Sequence, residues 1–218
     1  MQLRKGQSLL IFSHARNAAG ANESGWASIV ERLLQSVYPE LDIRVDTYSC
    51  AAAANGGTLS VWTDAARQRK PDWLVLPPFT HADLSELLPN GATMPPEQLK
   101  DMLLPMLNEL RMYAGRVVLL TPFALNGSDL TDFAQSEATL LEAAWEAGCM
   151  LVSTKSAIDE TKSKHAYQPD QANEEALRAD IEFALANAFL RDVGFQWVRR
   201  PSFFSFGDQS ALRMSHSS

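Results

Sequence analysis

The chain has 218 residues, 46% of them hydrophobic, an ordinary content for a globular protein with a single core. Its formal net charge is -7 and no long basic run occurs, so nucleic acid and anionic membrane are not expected as partners. The N-terminal apolar run is too short for a signal sequence, no stretch approaches the roughly 20 apolar residues that span a bilayer, and the two cysteines, Cys50 and Cys149, lie far apart without a CxxC pattern, so a cytoplasmic protein without a disulfide framework is expected.

Leu9, Leu10, Ile11 and Phe12 form an unbroken apolar run, the pattern of a strand buried on both faces of a parallel sheet, and the strand is expected to end at Ser13. The polar turn Ser13-His14-Ala15-Arg16-Asn17 follows, at the carboxyl end, where an open α/β sheet places its ligand crevice. Trp26, Ile29, Val30, Leu33, Leu34 and Val37 recur at helical spacing until Pro39. Residues 43–45 predict a second strand, followed by Thr47-Tyr48-Ser49-Cys50 and four alanines. Asn55-Gly56-Gly57 reads as a turn, since it lacks the lysine of a phosphate loop and the GxGxxG pattern.

A helix is predicted over 59–69 and a third strand over 73–76, stopped by Pro77-Pro78. After the loop Phe79-Thr80-His81-Ala82-Asp83 and a Pro/Gly-rich segment come a helix over 97–114 and a fourth strand over 117–120. A helix over 129–147, capped by Gly148, leads to a fifth strand over 150–152. The polar stretch 153–173 carries His165 and Pro169, and an amphipathic helix follows over 174–190. This alternation predicts an α/β three-layer sandwich around a mostly parallel five-stranded sheet, flavodoxin-like, in one domain over 1–193. Trp26, Trp62, Trp73, Trp145 and Cys149 are assigned to the core. Residues 194–218 form an aromatic extension with Phe195, Trp197, Phe203, Phe204 and Phe206. Either a lid over the crevice or a homodimer contact accounts for these aromatics, and the last residues are expected to be disordered.

Several segments, in order, resemble the SGNH (GDSL-type) hydrolases. Leu9 to Phe12 followed by Gly25-Trp26 resembles the first strand and first helix of that family. Pro71-Asp72-Trp73-Leu74-Val75-Leu76 resembles the strand before its third block, and Arg116 to Phe123 its fourth strand. Gln168-Pro169-Asp170 with Asn173 resembles its last block. The resemblance implies an SGNH-hydrolase-like fold over about residues 8–190. It also puts the family's nucleophilic serine at Ala15, its second-block glycine near Ser49 and its third-block asparagine near Thr80 or His81. The family's Asp-x-x-His pair falls on His165 and Gln168. An alanine methyl cannot attack a carbonyl and a glutamine amide does not titrate, so the resemblance implies that serine-triad chemistry is absent.

Three of the four histidines, His14, His81 and His165, fall at blocks whose loops converge on one crevice in that fold. They are candidate catalytic residues and candidate ligands of a divalent metal, zinc or iron, whose bound water has a pKa lowered to ~7. Metal-free acid/base roles, and no shared site at all, stay open beside this. Ser49 is a candidate oxyanion donor. Ser13, Asn17, Thr80 and Gln168 are candidate substrate-binding residues. So is Cys50, a thiolate nucleophile or fourth ligand if paired with a histidine, although a small buried apolar residue is the better reading of it; Ser13 is also the remaining candidate for a shifted nucleophile. The expected function is a non-serine enzyme acting by hydrolysis, water addition or group transfer on a small ester-, amide- or lactone-like molecule. The alternative is a catalytically dead binding module.

Overall fold

The computed structural model describes residues 3–14, 25–50, 58–77, 96–121, 130–164 and 171–195. The apolar run of the first strand, β1 (Ser8–His14), divides between two cores because successive side chains of a strand face opposite ways. Leu9 and Ile11 enter one hydrophobic cluster; Leu10 and Phe12 enter the other. The same split recurs in β3 (Trp73–Leu76) and β4 (Arg116–Leu120). Trp73, Val75, Val118 and Leu120 face the first cluster, while Leu74, Leu76, Val117 and Leu119 face the second. With β2 (Arg44–Cys50) and β5 (Met150–Val152), the five strands stand in the order β2-β1-β3-β4-β5, all parallel.

One face of the sheet is covered by α1 (Trp26–Val37), α5 (Lys155–Lys164) and α6 (Gln171–Asp192), which contribute Trp26, Ile29, Ile158 and Phe189 to the first cluster. The other is covered by α2 (Thr58–Arg69), α3 (Pro96–Tyr113) and α4 (Leu130–Glu146), which contribute Trp62, Leu103, Leu107 and Leu140 to the second. The expected three-layer α/β sandwich is therefore observed, with the strand order of flavodoxin-like folds. No helix of the described residues is long and apolar enough to cross a membrane.

The strands are tied together at their amino ends. The Ser8 amide and hydroxyl both donate to Asp72 Oδ2, at 2.8 and 2.9 Å, and the Asp72 amide donates back to Ser8 Oγ at 3.0 Å. Trp73 Nε1 donates to Gln7 Oε1 at 3.1 Å. Beside this clasp the Gly115 amide donates to the Pro71 carbonyl at 3.0 Å, so close that a Cβ on Gly115 would lie 2.8 Å from the Asp72 carbonyl oxygen. Backbone cannot swing aside as a side chain can. Gly115→Ala is expected to destabilise the fold by about 1–3 kcal/mol, read from the urea midpoint at unchanged slope.

Four local expectations are corrected. β1 runs one residue beyond Ser13, to His14. The second strand continues to Cys50 rather than stopping at Val45; it lies at the sheet edge, where a half-exposed strand needs no continuous apolar run. The polar stretch after β5 contains the helix α5, which has a buried anchor in Ile158 and too few apolar residues for a periodic signal. Trp145 is 80% exposed, because the buried stripe of its helix is Leu140, Ala143, Ala144 and Ala147 and position 145 is turned about 100° from 144. Trp26, Trp62 and Trp73 are buried as expected. Phe195 is buried too, its ring 4.7 Å from that of Tyr38; Trp197, Phe203, Phe204 and Phe206 lie outside the described residues.

Cys149 is half-buried at the amino end of β5, a free thiol rather than a fully buried core residue. Burial pushes its pKa up to about 11, against a smaller opposing pull from Arg111, whose Nη1 donates to the Ala147 carbonyl. The reactive thiolate therefore appears only as the pH rises towards that value. Iodoacetamide is expected to modify the Cys149 peptide at neutral pH at least about tenfold more slowly than a free cysteine with its pKa of about 8.5, as followed by mass spectrometry, and faster with each step of pH upward.

Candidate functional site

Parallel strands put all their carboxyl ends on one edge, and the register of β1 and β2 determines what meets there. Ser13 stands opposite Ser49 and His14 opposite Cys50. Because β2 extends to Cys50, four candidate residues occupy two adjacent rungs of the ladder. Ser49 and Cys50 are thus strand residues at the carboxyl edge of the sheet and not members of a following loop. Asn17, Thr80, His81, His165 and Gln168, like Ala15, lie outside the described residues.

The floor beneath this edge is aromatic. Phe12, one residue before Ser13 and fully buried, stacks on Trp62 of α2 with centroids 5.4 Å apart and planes at 16°. It meets Tyr48 of β2 edge-on, at 5.9 Å and 88°. The Arg69 guanidinium lies 5.1 Å above the Tyr48 ring. Three packed rings fix the last turns of both strands more firmly than aliphatic contacts alone, since each ring pair has a preferred geometry. Rigid support of this kind is what a reacting group at the strand end requires.

Further along the same edge, Thr121 and Thr154 form a buried knot between the ends of β4 and β5. The Thr154 amide donates to Thr121 Oγ1 at 2.9 Å, and the Thr154 hydroxyl donates to the Thr121 carbonyl at 2.8 Å. The two hydroxyl oxygens are 3.1 Å apart. Sequence reasoning passed over this pair. Its signal was a threonine at the end of the Val117–Leu120 run and another just past Met150–Val152. Buried hydroxyls need partners, and these two answer each other.

Among the described residues, no group of three or more His, Cys, Asp and Glu side chains could hold a metal ion; His81 and His165 lie outside them. The thiol of raised pKa, Cys149, is at the opposite, amino edge of the sheet.

No protein-family model matches the sequence. The chain is 27% identical over 192 residues to an acetylxylan esterase of Geobacillus stearothermophilus, an alignment covering 83% of this chain and 85% of the relative. A solved structure of an acetyl-xylooligosaccharide esterase from that organism, with one arginine changed to alanine, superposes with a TM-score of 0.71 at 22% identity over 92% of this chain and 100% of that one. An alpha/beta hydrolase from the metagenome of Lake Arreo, Spain, gives a TM-score of 0.67 at 17% identity, over 88% of this chain and 96% of that one. Three further structures of the Geobacillus esterase are catalytic mutants, in which a serine, an aspartate and a histidine are each replaced by alanine.

The fold is that of the SGNH-type hydrolases. The same comparisons overturn the expected non-serine enzyme centred on His14, His81 and His165, with or without a metal: the matching relative is an acetylxylan esterase, and replacing a serine of the Geobacillus enzyme by alanine makes a catalytic mutant. The alternative, a catalytically dead module, gains nothing from them. The expectation rested on Ala15 standing where the resembled family has its serine; Ser13 and Ser49 are paired at the carboxyl edge of the sheet.

Proposed function

We propose that this chain is a serine-type acyl-ester hydrolase acting on acetyl esters of saccharides, with its site at the carboxyl edge of β1 and β2. The observation that carries the reading is the 27% identity to an acetylxylan esterase over most of both chains, joined to the shared fold. The family's usual serine position is replaced here by Ala15, so we assign the nucleophilic hydroxyl to Ser13, at the end of β1. Ser49, across the ladder, is assigned as a donor to the oxyanion that forms when the acyl carbonyl is attacked. His14, His81 and His165 are the candidates to take the serine proton, and Asn17, Thr80 and Gln168 to orient the sugar.

The attack forms a bond from the serine oxygen to the acetyl carbon and expels the sugar hydroxyl; water then releases acetate. Two measurements test this on the unaltered protein: hydrolysis of 4-nitrophenyl acetate and of acetylated xylo-oligosaccharides, and labelling by a fluorophosphonate probe. Turnover of both esters with stoichiometric labelling is expected. The absence of both turnover and labelling would overturn the reading.

A further inference from the structure

The two edges of the sheet are unlike. β5 is three residues long, the short kind of edge that offers little to an incoming strand. β2 is seven residues long and is in register with β1 at every one of them, without a bulge. Its sequence, RVDTYSC, holds neither proline nor lysine, two residues that commonly blunt such an edge. Among the described residues no strand lies on its outer side.

That outer side presents a definite set of main-chain groups. A strand turns the amide and carbonyl of successive residues to opposite sides. The Arg44 amide donates inward, to the Gln7 carbonyl beside β1, at 3.1 Å. Asp46 and Tyr48 therefore also bond inward, and Val45 and Thr47 present their amides and carbonyls outward. Arg44 and Asp46, two residues apart, share one face of the strand, and both are exposed. Among the described residues neither is in an ion pair.

A second copy of the chain matches this edge in one register. Two equal strands meet antiparallel about a two-fold axis. An axis at Arg44 or at Asp46 would set like charges opposite each other, and an axis at Thr47 would set Arg44 against Cys50 and Asp46 against Tyr48. An axis at Val45 lets the two Val45 residues exchange both main-chain bonds, and it sets Arg44 of each copy opposite Asp46 of the other. Those two rungs are non-hydrogen-bonded pairs, where opposed residues stand closest, with Cα atoms about 4.5 Å apart, and opposite charges so placed attract.

We propose that the outer edge of β2 is an interface with a second copy of this chain, a two-fold pairing centred on Val45 that joins the two sheets into one. It does not rest on the esterase reading.

Sedimentation velocity of the full chain over a range of concentrations tests this. A reversible dimer is expected, weaker at high salt because the charge pairs lie near solvent. Asp46→Arg sets arginine against arginine at both rungs, and Arg44→Asp sets aspartate against aspartate. Each is expected to raise the dimer Kd about tenfold or more. The two changes together restore opposite charges and are expected to bring Kd back to within about threefold of the unaltered chain, because the paired sites are coupled. Circular dichroism checks that each variant is folded. By NMR, hydrogen exchange of the Val45 and Thr47 amides is expected to slow as the unaltered chain is concentrated, and not to slow in Asp46→Arg. A chain monomeric at every concentration would overturn the proposal. So would a dimer whose Kd neither single change moves, or a folded double variant that stays dissociated. Should the double variant not fold, the Val45 and Thr47 amides decide: exchange independent of concentration in the unaltered chain would exclude this edge.

Discussion

Phe12→Ala is expected to lower the unfolding free energy by about 3–5 kcal/mol, the cost of deleting a fully buried aromatic ring. Phe12 is completely shielded from solvent and stacked on Trp62, with Tyr48 at its edge. Removing it therefore costs the transfer of the ring, two aromatic contacts and the void left between sheet and helix. Neighbours cannot close that void cheaply, because Trp62 belongs to α2 and Tyr48 to β2, and each is held by its own element. Phe12→Leu fills most of the space and is expected to lose no more than about half as much. Urea denaturation of the three proteins at one slope reads the difference directly. The alanine variant is also expected to lose ester hydrolysis at temperatures where it is still folded, since the void opens under Ser13.

Ser13→Ala is expected to remove fluorophosphonate labelling and to reduce kcat/KM for 4-nitrophenyl acetate by at least about a thousandfold, the scale of losing a nucleophile. Ser49→Ala is expected to keep labelling and lose about a hundredfold in kcat, as a missing oxyanion donor does. The contrast between the two variants carries the information. If Ser13→Ala is still labelled and Ser49→Ala is not, the two roles are exchanged. If neither change alters labelling of an active protein, the hydroxyl lies elsewhere and both assignments fail. Both positions are at the carboxyl ends of their strands, and a thermal melt of each variant separates loss of function from loss of the fold.

The central strands were legible in the sequence because each is a short, continuous apolar run with both faces buried: Leu9–Phe12, Trp73–Leu76 and Val117–Leu120. The edge strand was legible only in its first residues. Arg44 and Asp46 are exposed on either side of the half-buried Val45, but the alternation that marks a one-sided strand breaks at the exposed Thr47 and the half-buried Tyr48. Helix α5 was missed for a related reason: one buried isoleucine is no periodicity. The stripe on α4 was visible, but a tryptophan beside it drew more weight than its angular position justified.

The site was harder to read than the fold. Which residues share the carboxyl edge follows from strand register, and register is a property of pairing between distant segments. The Ser13–Ser49 and His14–Cys50 rungs could be written down only once β2 was known to reach Cys50. A family motif compared position by position pointed to Ala15 and to the loss of serine chemistry. Ser13 was readable as a shifted candidate from the sequence, but that Ser49 stands opposite it required the sheet.

The strand order has a consequence for biosynthesis. β1 leaves the ribosome before β2 and β3, yet it lies between them, so one of its edges has no partner until translation has passed Leu76. During that interval the nascent chain presents Leu9 to Phe12 with unsatisfied main-chain groups beside them, the kind of surface that recruits chaperones or seeds aggregates. Slowing elongation before Leu76 is made would lengthen this exposure, whereas slowing it well afterwards would leave the strand already enclosed.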